Sequence, residues 1–180
     1  MHPSYLAAVQ KSHANPHELV LRETDFVVSK TDLLGKITYC NPIFIEFSGY
    51  REDELLGRPH NILRHPDMPR AVFNLLWSTL RVGGEFFGYI KNLRKDGGYY
   101  WVFANVTPRC DPDSAEVIGY FSVRRKPDVN KLKIIENVYR DMLAAEQRAA
   151  RSDAIAVGAE VLNKFIATTG SSYLEFILSL

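Results

Sequence analysis

ITYCNPIFIEFSGY, residues 37–50, reads as a strand that runs directly into a capped helix. Ile37-Thr38-Tyr39-Cys40 is β-branched and aromatic, and Asn41-Pro42 supplies a helix cap followed by proline at the first helical position. The helix spans Ile43 to Phe47, and Gly49 stops it. Upstream, Phe26 to Lys30 is a second β-rich run. Asp32 to Lys36, with Gly35 able to take positive φ, turns it into a hairpin with the first. Downstream, Arg51 to Gly57 reads as a one-turn helix, followed by a polar, proline-marked segment from Arg58 to Pro69. Met68, Val72, Leu75, Leu76 and Leu80 recur at three- and four-residue spacing. They predict a helix over Met68 to Arg81 with one buried stripe, capped by Asp67 and ended by Gly83-Gly84. Three strands follow, Glu85 to Leu93, Tyr99 to Arg109 and Glu116 to Arg125, joined by Lys95-Asp96-Gly97-Gly98 and by Cys110 to Ser114. This order predicts an α+β fold: a five-stranded antiparallel sheet with short helices over one face and a pocket between them.

The flanks differ from this middle block. Residues 1–21 are polar, with Pro3 and Pro16 and a short helical possibility at Tyr5 to Lys11, and read as an N-terminal cap or tail. Residues 22–126 form the mixed strand-and-helix block, and 127–180 a C-terminal helical segment available for dimerisation. In that segment Leu132, Ile135, Tyr139, Met142 and Glu146 make one helical stripe opened by Asp128. Asp153 to Thr168 makes a second helix, closed by Gly170. The second helix leaves an apolar face to be covered by the sheet or by a second chain, so a homodimer is one expectation and an intramolecular cover the other. Tyr173 to Leu180 is apolar but too short to span a bilayer.

Across 180 residues, Lys plus Arg is 22 and Asp plus Glu 21, for a net charge of +1. That balance lacks the basic excess of a nucleic-acid binder. The chain has no apolar run long enough for a transmembrane segment and no leader pattern at its start, so a cytoplasmic protein is expected. Cys40 and Cys110 have neither CxxC nor zinc spacing and read as inert thiols. No G-x-S-x-G, P-loop or H-E-x-x-H is present, and no enzyme activity is expected.

The blocks ITYCNPIFIEFSGY, EDELLGRPH, LRKDGGYYWVFANVTP and EVIGYFSVRR together resemble a PAS domain. Arg64-His65-Pro66-Asp67-Met68-Pro69, followed by Phe73, Trp77, Lys91-Asn92 and Tyr100-Trp101, is similar to the FAD-binding PAS domains of aerotaxis receptors. The resemblance implies the PAS fold, an FAD cofactor, a redox or oxygen sensor of the energy-taxis type, and a chemotaxis-type signalling domain or separate signalling protein as partner. It points to Asn41, His60, Arg64, His65, Asp67, Phe73, Trp77, Asn92, Trp101 and Asn105 as the cofactor site. Arg64 suits a phosphate, assisted by the amides at the start of the long helix. Asp67 would also hold Arg64 or His65. Asn92 and Asn105 suit the flavin ring edge if they face inward, which strand alternation alone leaves open. Phe87, Tyr89 and Phe103, with Trp77 and Trp101, offer ring-sized apolar surface.

Plainer roles stand beside these. Asn41 is first a helix cap, Trp77 can be core, His65 a satisfied loop histidine, and Arg64 a surface ion-pair partner of Asp67 or Glu85. Blue-light sensors of the LOV type are related, but His60 stands where their reactive cysteine belongs and Arg124 where their last-strand glutamine belongs, so adduct photochemistry is not expected. Two further alternatives are haem held by His60 or His65, and a PAS module without cofactor used for dimerisation or a small ligand.

Overall fold

The computed structural model describes residues 17–180, so the helix expected at Tyr5 to Lys11 lies outside the described residues. Strands β1 (Val27–Thr31) and β2 (Ile37–Cys40) form the expected hairpin, pinned by Asp32 Oδ1, which accepts the Leu34 and Lys36 amides at 2.9 and 2.8 Å. Gly35 takes φ 74° in this turn, and a Cβ there would stand 3.2 Å from the Trp77 ring, so both conformation and space select glycine. Helix α1 (Pro42–Ser48) starts at the Asn41 cap, and α2 (Glu52–Leu55) and a 3-10 turn (His60–Leu63) follow. Helix α3 (Arg70–Arg81) starts two residues later than the apolar spacing predicts. Pro69, extended at ψ 144°, occupies the cap position and has no capping oxygen to offer, so Asp67 does not cap this helix.

Strands β3 (Phe86–Leu93), β4 (Tyr99–Cys110) and β5 (Val117–Arg125) complete a five-stranded antiparallel sheet in the order β2-β1-β5-β4-β3. Its register fixes which side chains share a face, because successive residues alternate. Asn92 pairs with Tyr100, Ala104 with Arg124, Val106 with Ser122, and Ser29 with Ser122, so these residues share the inner face under the short helices. Lys91 pairs with Trp101, Tyr89 with Phe103 and Phe87 with Asn105 on the outer face.

Helices α4 (Val129–Arg148) and α5 (Ala154–Thr169) form an antiparallel hairpin, and α6 (Tyr173–Ser179) follows. Asp128 caps α4 as expected, its Oδ1 accepting the Asn130 and Lys131 amides. The stripe Leu132, Ile135, Tyr139 and Met142 is buried, as are Leu162 and Ile166 of α5, and α5 packs on α3 and α4. The apolar face of the second helix is thus covered within the chain. The same helices close the free edge of β3: the Tyr139 hydroxyl donates to the Tyr89 carbonyl at 3.0 Å and the Tyr173 hydroxyl to the Phe87 carbonyl at 2.7 Å. On that edge the Lys91 amide meets Met68 Sδ at 3.3 Å. An otherwise exposed row of strand groups is satisfied by side chains rather than by another strand.

Candidate functional site

Between the inner face and helices α3 and α5 lies a cavity of about 550 Å³. Phe73, Leu76, Trp77 and Leu80 of α3 form one wall, Ile90, Ala104 and Val106 the sheet side, and Ile155 of α5 closes one flank. Trp77 packs edge-on against Tyr120 at 5.4 Å between ring centroids. Leu34, Pro59, Asn61 and Asn74 are exposed residues at its rim. The volume falls within the usual range for small-molecule sites, and the lining is mostly apolar with a few convergent polar groups.

Those polar groups are unusual in charge. Arg64, Arg70 and Arg124 border the cavity, and no carboxylate among the described residues does. Arg124 is 6% exposed, and its guanidinium lies 5.7 Å from the centre of the Phe44 ring. One of its nitrogens, Nη2, donates to His60 Nε2 at 2.8 Å and to Ser29 Oγ at 3.1 Å. Burial lowers its pKa to about 10, which leaves it charged at neutral pH. Burial, and next the Arg124 charge, lower the His60 pKa to about 3, so the imidazole is neutral and its Nε2 lone pair is free to accept from Arg124. Three buried polar atoms in this wall have no partner among the described residues: Arg124 Nη1, Asn92 Nδ2 and Thr31 Oγ1. Each such orphan costs on the order of 1–3 kcal/mol unless something else meets it, and such groups concentrate where a ligand or water belongs.

The RHPDMP segment crosses the edge of the sheet, and its side chains part there. Arg64 pairs by an isolated bridge with Asn92, lies with its guanidinium 4.6 Å from the Phe73 ring centre, and donates from Nη2 to the Met68 carbonyl at 3.0 Å. His65 and Asp67 turn to the other side. His65 is buried edge-on to Tyr99, with Nδ1 accepting the Asp67 amide at 3.1 Å. Asp67 accepts from Lys91 Nζ at 2.7 Å, and that ammonium lies over the Tyr99 ring at 4.2 Å.

Of the residues expected at the cofactor, the cavity gathers His60, Arg64, Phe73, Trp77 and Asn92. It does not gather the other five. Asn41 staples α1 to β1: its Oδ1 accepts the Phe44 and Val28 amides and its Nδ2 donates to the Phe26 carbonyl. His65 and Asp67 stand in the outer-face cluster just described. Trp101 and Asn105 point to the outer face by register, Trp101 packing beside Tyr139 at 6.4 Å. There Phe103 stacks on Phe87 and meets Tyr89 edge-on rather than offering a slot. The helix amides expected to assist a phosphate are also taken, since the Arg70 and Ala71 amides donate to the carboxylate of Glu146.

Sequence reasoning missed Ser29, Thr31, Arg70, Ser122, Ile155 and the role of Arg124. Ser122 and Arg124 carried a usable signal. They are the polar parity of β5 beside Phe121 and Val123, and a sheet covered on both faces can point either parity at a pocket.

A family model described as PAS fold matches residues 37–121.

Residues 37–121 carry the PAS fold.

The aerotaxis receptor of Escherichia coli is 40% identical over 124 residues, 69% of this chain and 24% of that protein. The nitrogen fixation regulatory protein of Klebsiella pneumoniae is 26% identical over 176 residues, 93% of this chain and 35% of that protein. This PAS protein therefore spans about a quarter to a third of the length of these relatives. A light-oxygen-voltage domain studied with a flavin analogue superposes with a TM-score of 0.54 at 24% identity, covering 76% of this chain and 94% of the other. The PAS fold and the likeness to aerotaxis receptors, both read from the sequence, are borne out. By name, these two relatives are a receptor and a regulatory protein. No described helix is long and apolar enough to cross a membrane.

Proposed function

We propose that this PAS domain binds a flavin, FAD, in the inner-face cavity and acts as a redox or oxygen sensor of the energy-taxis type rather than as an enzyme. The observation that carries the reading is the floor of donors without partners among the described residues, Asn92 Nδ2 and Arg124 Nη1, in an aromatic-walled cavity that those residues border with arginines and no carboxylate. The pyrimidine edge of a flavin is rich in acceptors and complements such a floor, and Phe73 and Trp77 match the flat face of the ring. Arg64 and Arg70, beside α3, are the cations that would hold the diphosphate of FAD, by side chain alone because Glu146 occupies the helix amides. Bound there, the flavin supplies reversible electron acceptance. Asn92 and Arg124 would meet any change of charge at the ring edge, and Ile155 brings the C-terminal hairpin to the same wall.

The receiver implied is a chemotaxis-type signalling domain or a separate signalling protein, in a cytoplasmic homodimer. Light scattering of the purified chain measures the oligomer directly. Haem finds less support. The Nε2 of His60 is engaged by Arg124 and Ser29, and His65 lies outside the cavity. Neither cysteine borders the cavity, so nothing there supports LOV-type adduct chemistry.

The test is the absorbance spectrum and the mass of the released ligand from protein expressed with ample riboflavin. Bound FAD is expected, and Arg64→Ala is expected to release it from a folded sheet. A colourless, folded protein that takes up no added FAD overturns the proposal, and a Soret band replaces it with haem.

A further inference from the structure

Glu146, in the last turn of α4, is only 6% exposed although it is a carboxylate. Its Oε2 accepts the Arg70 amide at 2.8 Å and its Oε1 the Ala71 amide at 2.9 Å. These are the first two amides of α3, which Pro69 leaves uncapped. The cap therefore comes from a residue about seventy-five positions later in the chain, where a local Asp, Ser or Asn would ordinarily supply it.

The recess that admits it is built by Gly158 of α5. A Cβ at that position would stand 2.5 Å from Glu146 Oε1 and 2.8 Å from its Cγ. Any side chain there would evict the carboxylate. Ile155, three residues earlier on the same face of α5, borders the cavity, and so does Arg70. One face of the C-terminal hairpin thus meets both the cavity wall and the start of the helix that forms it.

We propose that Glu146 is a latch, with Gly158 as its keeper, that fastens α5 and the last turns of α4 to the first turn of α3 and lets them detach together, while Tyr139 keeps the middle of α4 on the sheet. The physical basis is the steepness of the contact. A carboxylate held by two charge-assisted bonds at the positive end of a helix is stable, whereas the same carboxylate buried with the bonds stretched carries its desolvation cost uncompensated. The contact is therefore either closed or released to water, which is the behaviour a switching element needs. It does not depend on which ligand the cavity takes.

Hydrogen exchange on the ligand-free chain tests it, comparing wild type with Glu146→Gln and Gly158→Ala. In both variants the Arg70 and Ala71 amides are expected to exchange at least about tenfold faster, from the loss of a charged hydrogen bond. Residues 154–169 and the last turns of α4 should lose protection in step, while β3, β4 and β5 keep theirs. Alanine favours a helix over glycine, so a plain propensity effect of Gly158→Ala would raise protection in α5, the opposite sign. Faster exchange at Arg70 and Ala71 with an unchanged hairpin would reduce Glu146 to a simple cap. Loss of sheet and hairpin protection together would make it a general stability residue. Either result overturns the latch.

Discussion

On the inner face of the sheet, Asn92, Ser122 and Arg124 interrupt an apolar floor, and polar atoms of Asn92, Thr31 and Arg124 lack partners among the described residues. On the outer face, Phe103 packs on Phe87 and Tyr89, Trp101 packs beside Tyr139, and Lys91 is tied to Asp67. Both faces come from the same three strands, one residue out of phase. The outer face spends its aromatic area on packing, and the inner face gives up packing for a cavity into whose wall three buried polar atoms without a partner among the described residues are set. The aromatic parity packs and the mixed polar parity lines the cavity, which inverts the usual expectation that polar residues of a strand face water.

Substitutions that strike one face and spare the other can break that division. The largest effect is expected for Trp101→Ala, a loss of about 3–5 kcal/mol in chemical denaturation from truncating a buried aromatic, with the folded fraction still binding flavin. Arg124→Met should do the converse, weakening flavin by about a hundredfold in titration while the ligand-free protein melts near wild type, because a buried uncompensated charge has been removed. His60 ties the inner face to pH. Its pKa is about 3 in the folded chain against an ordinary 6.5, so the unfolded chain binds the extra proton between those values. Stability from keeping it neutral is full above pH 6.5 and is lost as pH falls toward 3, by about 1.4 kcal/mol per pH unit. The stability gap between wild type and His60→Asn should narrow by that slope between pH 6.5 and 5. A gap independent of pH would remove His60 from the buried pair. The smallest effect belongs to Asp67→Asn, since its carboxylate is 58% exposed: a change below about 1 kcal/mol in denaturation, and no change in flavin content. Flavin loss in that variant would return the outer cluster to the site.

The order of strands, the hairpin turns, the Asn41 and Asp128 caps and the two C-terminal helices were legible in the sequence because each depends on neighbours within a few residues. What was not legible depended on partners far along the chain. Asp67 looked like a helix cap because it precedes an apolar stripe, yet Pro69 moved the helix start and Glu146 took the capping role from α4. Trp101 and Asn105 looked like cofactor residues because flavin sites are aromatic and amide-bearing. Strand parity, fixed only by the register of Phe87 with Asn105 and of Lys91 with Trp101, turned them away. His60, Arg64, Phe73, Trp77 and Asn92, named on the resemblance to aerotaxis receptors, line the cavity. Arg124 was noticed only as a departure from another branch of the family, although it is the buried charge on which the cavity is organised.

The flavin content of Asn92→Ala and Asn105→Ala, purified side by side, tests the account most directly. The two asparagines sit on adjacent strands, differ in parity, and each has a buried Nδ2 without a partner among the described residues. Loss of flavin from Asn92→Ala with full retention by Asn105→Ala is the expected result. Retention by the first and loss from the second would contradict it.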